Sequence, residues 1–251
     1  MRVSCNELGA LLNRVFEGQG LIDFEAASKQ VLWFEQCGLR GLERLSNIIQ
    51  YLRQSDSSGM QVIDEPQGHM SLDLAGNSAL VWGATAVDLA SSQARQDKAT
   101  TLQLENCRNR IFILQPLAEC ALQGMNCLAH WQVAAAQRQQ QLAIFPAGER
   151  YPLYDTWEPL APRATQLASS VTLICSESNE PLQDYVNRQR DMAEANLHRL
   201  DADHFRANAR DSLDNGIEVD DRLWKLLSRM GERVLVESSD TSRSRGAGPA
   251  G

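Results

Sequence analysis

Phe34-Glu35-Gln36-Cys37-Gly38-Leu39-Arg40-Gly41-Leu42-Glu43-Arg44-Leu45 joins two helical stripes across a pair of glycines. Upstream, Asp23 opens a helix whose inward face is Ala26, Ala27, Val31 and Phe34, and Gly38 breaks it. Downstream, Leu42, Leu45, Ile48, Ile49 and Leu52 form the next stripe. A first helix precedes both. Ser4 or Asn6 caps it, Leu8, Leu11, Leu12, Val15 and Phe16 line it, and Gly18 and Gly20 close it. A polar loop follows at 54–59, so residues 1–57 are expected to form an N-terminal helical part.

The pattern then changes from helical to mixed. Short strands are expected at 60–63 and 71–74, around a turn at Pro66-Gln67-Gly68. A long helix is expected at 79–95, a strand at 100–104, and a helix at 111–122 with Pro116 in its first turn. Segments 126–134 and 141–145 are expected to pair across the polar connection 135–140. Segments 151–157 and 170–175 complete the sheet. Residues 58–176 therefore form a central α/β part. Helices at 184–200, 203–213 and 220–233 make a C-terminal part, 177–237, that packs back on the first. The tail 238–251 has no core-forming residues and is expected to be disordered. The fold class is α+β: N- and C-terminal helices packed with a central mixed, largely antiparallel sheet.

Composition narrows the function. The chain has 251 residues, 43% of them hydrophobic, which is ample for a packed core. Its net charge of −8 has the wrong sign for an electrostatic nucleic-acid binder. Only Lys29, Lys98 and Lys225 are lysines, so little chemistry rests on a Schiff-base or phosphate-loop lysine. The six cysteines include no C-x-x-C pair and suit a reducing, cytoplasmic setting. No signal peptide and no membrane span are expected.

Three blocks of sequence, in order, resemble the non-Rossmann malate/L-lactate dehydrogenase family, which includes ureidoglycolate dehydrogenase and reductases of cyclic imino acids. The first is the 34–45 stretch, where that family has Ser-His-Gly and then a helix bearing Arg-Leu. The second is Leu74-Ala75-Gly76-Asn77-Ser78-Ala79-Leu80 followed by Leu104-Glu105-Asn106-Cys107-Arg108-Asn109, against a Gly-Asn turn and a strand ending in Arg-Asn-Ser-Asn-His. The third is 210–224, where Asp214-Asn215-Gly216-Ile217-Glu218-Val219-Asp220-Asp221 stands for Gly-Ile-Pro-Leu-Asp-Asp before a helix with Trp224. The resemblance implies a shortened relative that forms dimers.

Its departures bear on chemistry. The catalytic histidine of Ser-His-Gly is replaced: these positions are Leu39, Arg40 and Gly41. Arginine stays protonated and does not shuttle a proton. The arginine that holds the substrate carboxylate corresponds to Arg44, which is present. Asn106 matches, and Asn109 stands where the second block ends in histidine. The Gly-Thr-Asn-Pro and Lys-Gly-aromatic-Gly cofactor segments are missing between Gly124 and Ser170, and there is no G-x-G-x-x-G.

Each candidate has two readings. Arg40 and Arg44, four apart, either converge on an anion or form an ion-paired, solvated helix face with Glu43. Asn106 and Asn109 either face a substrate or shape a strand-end turn. Cys107 is either a thiol activated by its neighbour Arg108 or part of that turn. His69 is the candidate replacement acid/base, and His130 is a core or pocket histidine. No H-x-x-x-H or H-E-x-x-H occurs, so no metal site is expected.

The expectation is a divergent dehydrogenase-like protein that has lost nicotinamide hydride transfer. It binds a small carboxylate through Arg44, Arg40, Asn106 and Asn109, or acts as an accessory subunit, with no cofactor. The alternative is an NAD(P)H-dependent oxidoreductase of a small 2-oxo acid, 2-hydroxy acid or cyclic imino acid. A third reading is an interaction protein working through a homodimer surface or within a larger complex.

Overall fold

The structure, a computed structural model, describes residues 1–52, 59–63, 69–133, 139–158, 169–190 and 197–232. Three helices come first: α1 (Cys5–Gly18), α2 (Phe24–Gln36) and α3 (Gly41–Leu52). Ser4 and Glu7 close a capping box on α1, with the Glu7 N–H donating to Ser4 Oγ at 3.2 Å and the Ser4 N–H donating to Glu7 Oε2 at 2.8 Å. Asp23 caps α2 by accepting from the Ala26 N–H at 3.1 Å. These local signals sit in the chain itself, which is why the expected helix starts and the observed ones agree.

Among the described residues, eight strands form one sheet in the order β2-β3-β4-β8-β5-β6-β7-β9. They are β2 (Gln61–Ile63), β3 (His69–Asp73), β4 (Ala99–Glu105), β5 (Asn126–Val133), β6 (Gln139–Phe145), β7 (Leu153–Trp157), β8 (Val171–Ser176) and β9 (His198–Leu200). The β3–β4 pair is parallel and the other pairings are antiparallel. The parallel pair needs a crossover, which α4 (Ala79–Asp97) supplies. Ala79, Gly83, Ala86, Ala90 and Ala94 are buried along it, and small residues let the helix lie close. A 3-10 turn (Arg110–Ile113) leads into α5 (Leu114–Leu122), where one continuous helix is expected from the sequence.

Strand alternation sorts the two faces. Cys127, Ala129, Trp131, Ala143, Phe145 and Tyr154 enter the main core, which also takes in α1 to α5. Leu128, Leu142, Ile144 and Trp157 point the other way, onto Leu182 and Val186 of α6 (Glu180–Arg190). The C-terminal helices α7 (Ala202–Asn215) and α8 (Asp221–Gly231) pack back on α2 and α1. No helix among the described residues is long and apolar enough to cross a membrane.

Two features differ from the sequence reading. Segment 184–200 is not one helix: α6 ends at Arg190, and 198–200 is the edge strand β9. Arg199 there stands opposite buried Asp155 of β7 and grips it with two 2.7 Å bonds, a tertiary pairing that overrides the helical pattern. A two-stranded ribbon, β1 (Arg2–Val3) with β10 (Ile217–Glu218), is also unexpected, because pairs of two residues carry no period. The expected loop at 54–59 except Gly59, the turn at 66–68, most of the 135–140 connection and the tail 238–251 lie outside the described residues.

Gly41 marks the tightest approach. A Cβ there would collide with the Val31 carbonyl oxygen and lie 2.8 Å from the Cβ of Phe34. Gly41→Ala is expected to destabilise the protein by roughly 1–3 kcal/mol, as overpacking does. Urea unfolding would check this, and an unchanged midpoint would refute it.

Candidate functional site

The turn between α2 and α3 is held from outside the helices. Asn208 of α7 donates to the Cys37 carbonyl at 3.3 Å. Arg40 stands just before α3 with a left-handed backbone, φ 55°. It has no capping side chain to offer the helix, so the first turn borrows one. Glu35 of α2 accepts from the Leu42 N–H at 2.6 Å and sets a carboxylate at the positive end of α3. Burial pushes the Glu35 carboxyl above its ordinary value, against the bond from Leu42.

The expected shared face of Arg40 and Arg44 is corrected by this geometry. Arg40 lies outside the helix and pairs with Glu43 at 3.4 Å, both side chains largely exposed. Arg44, inside α3, donates from Nε to the Leu39 carbonyl at 2.9 Å. Its terminal nitrogens make no bond to any described residue. Its charge acts on a group that sequence reasoning missed. Tyr154 of β7 is buried and donates its hydroxyl to Gln141 Oε1 of β6 at 2.8 Å. Burial pushes that phenol upward, and the charge of Arg44 pulls it back. The Trp131 ring lies 6.3 Å from that of Tyr154. A guanidinium and an amide N–H, the amide oriented by the phenol, can hold a carboxylate by directed hydrogen bonds. Only strand alternation hinted that Tyr154 faces inward, and nothing in the sequence joined it to Arg44.

The loop after β4 is a scaffold. Asn106 and Asn109 both take left-handed backbones, φ 49° and 51°. Their amides are tied to Asp73 Oδ1 at 2.9 Å and Ser78 Oγ at 3.0 Å, and Ser78 caps α4. Cys107 is fully buried, and burial pushes its thiol up to about 12. The expected activation by Arg108 is therefore corrected: desolvation outweighs any neighbouring cation. The cation beside it is Arg110, which spans the Cys107 carbonyl at 3.0 Å and the Gln132 carbonyl at 2.8 Å. His69 opens β3 opposite Thr101, and its side chain lies outside the described residues. His130 bonds the Tyr185 hydroxyl at 2.8 Å and stacks on Trp157, so it serves the face of the sheet opposite Tyr154.

Three cysteines from three elements also meet. The sulfurs of Cys120 in α5, Cys127 in β5 and Cys175 in β8 all lie within 4.8 Å of one another, and all three residues are buried. Cys127 and Cys175 are direct partners across the antiparallel pair. Hydrogen bonding with these two thiols eases ionisation at Cys120, while that same bonding to Cys120, and then burial, pushes Cys127 and Cys175 upward. The sequence expectation of no metal site rested on paired histidine motifs, which cannot register thiols brought together by sheet topology.

The arrangement of helices and sheet has close counterparts among solved structures. A dehydrogenase from Sinorhizobium meliloti superposes with a TM-score of 0.66 at 15% identity, over 92% of this chain and 99% of that one. A putative malate/lactate dehydrogenase from E. coli gives 0.64 at 12%, over 97% and 98%. The delta1-piperideine-2-carboxylate reductase from Pseudomonas syringae gives 0.59 at 14%, over 92% and 99%. The fold is malate/lactate dehydrogenase-like. Residues 3–79 match a family described as a protein of unknown function, DUF3726. No curated protein matches the chain in sequence.

Glu35 sets a pH signature for this dehydrogenase-like turn. Its carboxyl holds a proton more tightly folded than unfolded, so the folded state binds more protons above pH 4.5 and stability falls as pH rises through that window. Glu35→Gln keeps an acceptor for Leu42 and removes that fall. The variant is expected to gain stability relative to the parent between pH 4.5 and pH 7. Equal differences at both pH values in denaturant unfolding would refute it.

Proposed function

We propose that this chain uses the dehydrogenase-like fold to bind a small carboxylate at Arg44 and does not transfer hydride from a nicotinamide, serving as a binding protein or accessory subunit. The observation that carries this reading is Arg40. It occupies the position where the resembling family keeps a catalytic histidine, and its guanidinium is engaged with Glu43. A group that stays protonated cannot alternate between acid and base. Anion binding survives that change, because it needs a fixed positive charge and directed donors. Arg44 offers the charge and N–H donors, and Tyr154, by holding the Gln141 oxygen, orients that amide so that its Nε2 supplies a further donor. The names of the structural neighbours favour the same ligand class, since malate, lactate and piperideine-2-carboxylate are all small carboxylates.

The test is a thermal-shift and fluorescence titration with NADH and NADPH, then with pyruvate, L-malate, L-lactate and pipecolate. No saturable cofactor binding at millimolar concentration is expected. One carboxylate should stabilise the protein by about 2.7 kcal/mol at about 100 times its Kd. Arg44→Ala is expected to abolish that stabilisation and Tyr154→Phe to weaken it. Saturable NADPH binding in the micromolar range would overturn the reading and restore an NAD(P)H-dependent oxidoreductase. Carboxylate stabilisation unchanged in Arg44→Ala would remove the pocket.

A further inference from the structure

The cysteine cluster has the features of a built site. Cys127 and Cys175 are fixed by the register of two central strands, and Cys120 is set over them by α5. A metal about 2.3 Å from each of three sulfurs, in their plane, spaces them about 4 Å apart. The sulfurs already lie within 4.8 Å of one another, so closure onto an ion needs movements of under about 1 Å, within reach of side-chain adjustment. The surroundings support the ligands. Ser91 and Arg95, both on α4, ease ionisation of the Cys120 thiol, and the Ser91 hydroxyl donates to the Asp88 carbonyl at 3.0 Å. Arg95 also reaches Gln123, just beyond α5, at 3.2 Å, tying the two helices beside the cluster. Cys120 is 5% exposed, against 0% for the other two, so access lies on the α4–α5 side.

We propose that Cys120, Cys127 and Cys175 form a three-coordinate thiolate site for a soft, closed-shell cation of the copper(I) type. Thiolates select soft ions. Among the described residues no histidine or carboxylate joins the three sulfurs, so zinc(II) lacks the fourth protein ligand of its structural sites. On binding, the ion keeps its oxidation state, each thiol releases its proton to solvent, and three sulfur–metal bonds form. Arg95 offsets part of the negative charge that remains.

The test uses the full chain, reduced and anaerobic, titrated with copper(I) in competition with bathocuproine disulfonate and, separately, with zinc(II). One copper(I) per chain is expected, with X-ray absorption showing three sulfur neighbours and a raised melting temperature. Cys120→Ser should weaken copper(I) binding at least tenfold, and Cys5→Ser, outside the cluster, should leave it unchanged. Loss of all copper to the chelator, tighter binding of zinc(II) than copper(I), or equal retention in Cys120→Ser would overturn the site. If Cys120→Ser does not fold, the sulfur count on the unsubstituted protein decides: three sulfurs sustain the site, and two or fewer overturn it.

Discussion

Phe34 is the wedge on which the helical and sheet parts meet. Its ring is fully buried, 4.9 Å from Phe112 in the turn before α5 and 5.4 Å from Trp33 in its own helix. Its Cβ underlies Gly41, where α3 begins. One turn earlier on α2, the buried amide of Gln30 donates to the Leu80 carbonyl of α4 at 3.2 Å. A close-packed interior transmits position. With α2 locked to α4 and the pre-α5 turn, the start of α3 has one place to go, and Arg44 follows from it. The first helices and the sheet therefore share one core, although the sequence divides them by pattern.

That lock has a cost at the turn, where α3 starts without a capping side chain of its own. Glu35 meets the need from the neighbouring helix, at the expense of partly burying a carboxylate. The local field then contains one half-buried acid and two arginines with separate partners. A histidine at position 40 would have brought a titratable group to this spot. An arginine brings a constant charge, already matched by Glu43. In the proposed reading the chemistry shifts from moving a proton to holding an anion, and among the described residues the terminal nitrogens of Arg44 are left without a partner.

Legibility followed range. Ser4, Asp23 and Asp220 announced helix starts because a cap acts within three residues. The sheet was readable as mixed because its strands alternate or run apolar and one long helix separates β3 from β4. The strand at 198–200 was not, because its cause is Asp155, more than forty residues upstream. The same limit applied to the site. Arg44 was visible through the block resemblance, but its partners Tyr154 and Gln141 come from two strands with no local signal. Asn106 and Asn109 were visible as polar residues, yet their left-handed backbones and tied amides show them shaping the loop. Cys107 was judged from its neighbour in sequence, when burial was the larger effect on its thiol.

Strand β5 connects the two sets of candidate chemistry. Cys127 and Trp131 both face the main core, four residues apart, which along a strand is about 13 Å. Cys127 opposes Phe145 and Cys175, while Trp131 opposes Gln141, the acceptor of the Tyr154 hydroxyl. Between them lie Ala129 and its partner Ala143, two small buried residues that offer no polar link. The thiol end is closed and soft in its donors, and the arginine end is hard and partly open. At that separation, with no shared side chain, substitutions at the two ends should combine additively. One strand thus carries residues of both candidate sites without making either depend on the other's chemistry.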